Sequence, residues 1–258
     1  METSGLIGLY ERIPLFILVA VRVGAMIYAS PVLGGPYAPA TVKALLTMAI
    51  AVIFVPLAAP AVIPVDARFL VLVCLELTLG LSVGFIVSLV FHGVRMGGEF
   101  INRHAGFSAA ENFDPEADFG AGPMGDLFHI MLVMIFLASD SHLWFIALIG
   151  KSFTAIPIGG WELTPAFAHL LARGTEEMWR ISIAISFPVL TAAMLMTMAE
   201  GVLARSIPQI NVLHISFATK IIVSLLVVYA SIPASVAFLG TCLLLFQRLG
   251  LAALGVVV

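Results

Sequence analysis

Six stretches of this chain, at residues 13–33, 42–63, 69–94, 127–149, 181–203 and 212–246, are apolar over about the 20 residues a helix needs to cross a bilayer. They predict an all-α protein of the integral membrane type with five to seven apolar helices. Proline sets the spread in that number. Pro233 interrupts the last run, where a missing backbone donor kinks or ends a helix, and Pro56, Pro60 and Pro64 make the end of the second run irregular. Only 10% of the residues are charged, against roughly a quarter in a soluble domain. No polar linker divides residues 1–258, so a single continuous helical domain is expected.

The same composition narrows the partners. A net charge of -3, scattered along the chain, provides no basic patch for nucleic acid and no basic tail for anionic lipid. Cys74 and Cys242 sit inside apolar runs without ligand spacing, and are expected as small core hydrophobes. A cleavable signal peptide is disfavoured because Glu11 and Arg12 precede a long apolar run and Pro31 follows the small-residue site, so a retained first helix is expected.

From Arg68 to Ala105 there is no proline, and a helix of that length would extend roughly 55 Å, against a hydrocarbon core of about 30 Å. Such a helix must project from the membrane, tilt strongly, or lie within a protein assembly. Residues 124–156 have nearly the same reach, so the two segments are expected to form a long hairpin. Its tip, residues 106–125, is the most polar and glycine-rich passage of the chain, with too many turn formers to stay helical. Lys and Arg fall on both sides of six assumed spans in similar numbers, which fits helices surrounded by other proteins.

Several constellations could carry chemistry. Gly80 with Gly84, and Gly93 with Gly97, form GxxxG pairs that let helix backbones approach closely, within the chain or against another subunit. Arg22, Glu76 and Glu200 lie within apolar runs, where a charge requires a partner, a cavity or an ion path. A structural ion pair of Arg22 with Glu76 is favoured over a proton relay. Arg95, Glu99 and Arg103 recur at four-residue spacing and can pair along one helix. A metal site from His92, Glu99 and His104 matches no standard zinc spacing. Asp114, Glu116 and Asp118 begin like a calcium loop, but Gly120 is one place late and Gly125 stands where the bidentate Glu is required. Met194, Met196 and Met198 could line a seal, although packing against lipid or core is the favoured role. The dispersed histidines have no nucleophile or acid at catalytic spacing, and no nucleotide-binding glycine motif is present, so neither an enzyme nor a cofactor is expected.

Ordered matches along most of the chain resemble the flagellar biosynthetic protein FliR and type III secretion SctT family. They include Arg22, Ser30-Pro31-Val32-Leu33, Pro39 and Lys43, then Glu76, Gly80, Gly84 and Phe85. Gly98-Glu99, Gly106, Ser108 and Phe113-Asp114-Pro115 follow, and later Gly201, Arg205, Pro208-Gln209 and Phe217. Asn102-Arg103-His104, Glu200 and Ser216-Phe217-Ala218 depart from the family pattern.

The resemblance implies a non-enzymatic subunit of an export gate in the bacterial inner membrane, at a flagellar or injectisome basal body, its helices packed in a raised spiral. FliP- and FliQ-type subunits would be its assembly partners, FlhB- and FlhA-type components its neighbours, and unfolded export substrates its cargo. It further implies that residues 106–125 plug the pore, through Gly106, Phe107, Ser108, Asn112, Phe113, Asp114, Pro115, Gly120, Gly122, Pro123 and Gly125. Arg95, Glu99 and Arg103 would anchor that loop, and Arg22, Glu76, Glu200, Arg205 and Gln209 would be buried polar groups serving assembly. A small-solute secondary transporter using Glu76 and Arg22 at midplane is the alternative.

Overall fold

A computed structural model describes residues 2–35, 39–58, 67–107, 122–162, 164–206 and 212–255. Among them are seven α-helices and no strand: α1 (Glu2–Ala29), α2 (Ala40–Phe54), α3 (Ala67–Ala105), α4 (Pro123–Ala138), α5 (Ser141–Ala155), α6 (Pro165–Ser206) and α7 (Val212–Ala253). A short 3-10 turn, Val55–Leu57, follows α2 at the first of the three clustered prolines. Four of the described helices are long and apolar enough to cross a membrane, or up to five if α4 and α5 count as one broken span. The chain is an all-α membrane protein.

The uninterrupted α3 matches the proline-free stretch, and its 39 residues extend roughly 58 Å. Three other helices run longer than the apolar runs suggest. α1 continues through Pro14, α6 through Pro188 and α7 through Pro233, so the expected division at Pro233 is absent. Helices in apolar surroundings tolerate proline where neighbouring hydroxyls and helices satisfy the freed carbonyls.

The second arm of the expected hairpin is broken. α4 stops at Ala138 and α5 starts at Ser141, with Asp140 left-handed at φ 53°. Ser139, Asp140 and Ser141 are residues whose short polar side chains favour caps and turns over helix interiors. The chain also changes compact unit at this point. One unit comprises Met1–Leu89, Asp140–Gly174 and Leu245–Val258, the other Val90–Ser139 and Thr175–Leu244.

In the first unit α3 docks on α1 through the first GxxxG pair. A Cβ at Gly80 would lie 2.6 Å from the Arg22 carbonyl oxygen, and one at Gly84 2.5 Å from the Ala29 Cβ. Leu18, Val19, Met26, Leu79 and Val83 are buried around this contact, and Phe246 packs on Trp144 and Phe145. In the second unit the other pair docks on α6, a Gly93 Cβ falling 2.7 Å from the Met178 carbonyl and a Gly97 Cβ 2.9 Å from that of Ser182. Phe91 meets Phe136 edge-on at 5.5 Å, and Phe100 stacks on Trp179 at 6.2 Å. Both GxxxG pairs thus serve packing within the chain.

Candidate functional site

Both described ends of the polar segment lie within the second unit, and its far end is fastened. At its far end α4 begins with Gly122 at the N-cap and Pro123 in the first turn, and no side chain of its own caps it. The cap comes from α3. Glu99 Oε1 accepts the Gly122 N–H at 2.9 Å, and Asn102 Oδ1 accepts the Met124 N–H at 3.0 Å. Asn102 Nδ2 donates to Glu99 Oε2 at 3.2 Å, locking the two caps together. Two amides that a helix start leaves unpaired are thereby satisfied, and the Glu99 carboxylate stands at the positive pole of α4.

Glycine makes this approach possible. A Cβ at Gly98 would lie 2.5 Å from the Met124 carbonyl oxygen, and one at Gly125 2.2 Å from Glu99 Oε1. At the near end α3 stops at Ala105, and Gly106 turns the chain with φ 85°, beside Phe217 of α7. Phe107 is half-buried and Pro123 exposed. Ser108, Asn112, Phe113, Asp114, Pro115 and Gly120 lie outside the described residues, as do Glu116 and Asp118 of the calcium-like pattern.

The expected ion pairs along α3 are not made. Arg95 reaches across to Asp126 Oδ1 at 3.4 Å, an exposed contact, and Arg103 is exposed. The Glu99 carboxylate is engaged by Gly122 and Asn102 instead, because uncapped amides compete better than a flexible, solvated arginine.

In the first unit Arg22 and Glu76 are fully buried partners. Arg22 Nε donates to Glu76 Oε2, and Nη1 donates to the carbonyls of Ser152 at 3.0 Å and Ile156 at 2.8 Å. The guanidinium lies 4.6 Å from the Phe153 ring centroid. Glu76 Oε1 accepts the Gly159 N–H at 2.9 Å. Arg22 thus satisfies carbonyls at the negative pole of α5, and Glu76 holds the chain that leaves it.

Glu200, half-buried on α6, accepts from Ser216 at 2.6 Å and Thr219 at 3.4 Å and pairs with Lys220 at 3.2 Å. Glu200 and Ser216, two separate departures from the family pattern, are therefore one interaction. Arg205, expected to be buried, is exposed in the last turn of α6, where its guanidinium remains solvated. Gln209 lies outside the described residues. Cys242 is buried as expected, whereas Cys74 is exposed, as are Met194 and Met198. Among the described residues no group of three or more potential ligands could hold a metal.

Residues 13–245 match the family described as bacterial export proteins, family 1. The chain belongs to that family. It is 29% identical to the flagellar biosynthetic protein FliR of Bacillus subtilis, over 84% of this chain and 85% of the relative. Identity to the Escherichia coli protein of the same name is 28%, over 84% of each chain. The protein of that name from Buchnera aphidicola of Baizongia pistaciae is 26% identical over 89% of each. The region shared with the bacterial export proteins contains the Arg22–Glu76 pair, the α4 cap and the Glu200 cluster.

Gly98 stands in the sequence as one of the family matches and Asn102 as a departure from them, while their contact with the start of α4 is a finding of the fold. Gly122-Pro123 does mark a helix start. Its caps stand 22 and 23 residues back along the chain, a separation at which spacing carries no signal.

Proposed function

We propose that this chain is a non-enzymatic membrane subunit of the flagellar protein export apparatus, in the bacterial inner membrane at the basal body. It assembles with FliP- and FliQ-type subunits beside FlhB- and FlhA-type components, and passes unfolded export substrates. Residues 106–125 close the path until substrate arrives. The carrying observation is the unequal fastening of this segment: its far end is capped by Glu99 and Asn102, while its near end turns at Gly106 with φ 85°. A closure that swings about one end requires one fixed attachment and one permissive backbone position. The relatives' shared name supplies the flagellar assignment.

Deleting residues 110–121 keeps the capped start of α4, so an assembled gate should form and conduct small ions in planar bilayers. Conductance equal to that of the undeleted gate would remove the closing role.

A further inference from the structure

Where α5 ends, α6 begins and α7 ends, the first unit holds a cavity of about 780 Å³. That volume falls in the range of about 300–1,000 Å³ that small-molecule sites occupy. Its lining carries both signs of charge from separate elements. α6 contributes the Arg173 guanidinium, with the His169 imidazole one turn before it as a polar neighbour, and the connection before α6 contributes the Glu162 carboxylate. α7 contributes its last residues, Ala252 and Ala253, at the negative pole of that helix. Arg173 and Glu162 form no salt bridge with one another or with any other described residue. Two opposite charges face one cavity and remain apart.

Apart from Thr164 the rest of the lining carries no polar side chain, and it includes Phe167 and Leu170. Trp161 also lines the cavity and meets Phe167 edge-on at 6.0 Å. Tryptophan favours the boundary between headgroups and hydrocarbon, and the ends of α5 and α7 meet the start of α6 here. A matching ligand has an anion for Arg173 and His169, an ammonium for Glu162 and the α7 terminus, and an acyl chain for the apolar wall.

We propose that this cavity binds the headgroup of a zwitterionic aminophospholipid of the phosphatidylethanolamine class. A purely anionic lipid would bring like charge to Glu162, and a soluble phosphoamine would leave the apolar wall uncovered.

The test is native mass spectrometry of the full chain with its co-purifying subunits, in micelles containing equal phosphatidylethanolamine and phosphatidylglycerol. The parent protein should retain the ethanolamine lipid preferentially. Arg173→Gln should lower that retention about tenfold, the effect of removing one charge-assisted hydrogen bond, while Arg173→Lys keeps most of it. Glu162→Gln should abolish the preference between the two lipids. Equal retention of both by the parent protein, or undiminished retention by Arg173→Gln, would overturn the proposal. So would saturation by soluble phosphoethanolamine with no lipid retained.

Discussion

Arg22 and Glu76 show how one buried charge is made tolerable by several neighbours. Each is almost without solvent contact, and between them they bind two α5 carbonyls and one loop amide. Removing one member of such a pair leaves the other buried and uncompensated, a loss of about 3–5 kcal/mol. Glu76→Gln should therefore destabilise the protein by that order. Replacing both residues together, Arg22→Met with Glu76→Leu, should be less damaging, though it does not restore the donors to Ser152 and Ile156. Denaturation of the detergent-solubilised protein measures both variants, and a Glu76→Gln protein as stable as the parent would sink this account.

Among the elements, α4 is unusual in taking its N-terminal cap from another helix. Asn102→Ala removes the acceptor for the Met124 N–H and the donor to Glu99, and should cost about 1 kcal/mol at that helix start. Hydrogen exchange at Met124 and its neighbours should quicken, while the buried interior of α3 keeps its protection; unchanged exchange at Met124 would mean the cap contributes nothing. The break between α4 and α5 belongs to this scale too. Ser139-Asp140-Ser141 is a sequence signal for it, set between apolar residues on either side. Conversely, Pro14, Pro188 and Pro233 are strong local signals that the long helices override.

Across the whole molecule much apolar surface faces outward. Leu45, Met48 and Val52 form one exposed stripe on α2, and Ile222, Leu226 and Tyr229 another on α7. Patches this extensive mark lipid or protein contacts. An arginine at the centre of a membrane-facing helix costs about 2.5–3.5 kcal/mol on insertion scales. Leu226→Arg should therefore reduce membrane insertion or recovery with partner subunits, both measurable in fractionated membranes. Normal recovery in both would show that this face meets neither lipid nor protein.

The amino-acid sequence determined the class of the protein and the extent of α3, because apolar run length and the absence of proline are properties of consecutive residues. It also located the polar segment, through its dense turn formers, and the buried charges, through their apolar surroundings. Only tertiary structure decided where those groups bond. Glu99 could have paired along its own helix with Arg95 or Arg103, yet it caps Gly122, since two helices brought together at Gly98 and Gly125 place unsatisfied amides within its reach. Arg22 and Glu76 could be named as a pair from their apolar surroundings alone; their joint attachment to the end of α5 depends on residues 83 to 134 positions away, for which no local pattern exists.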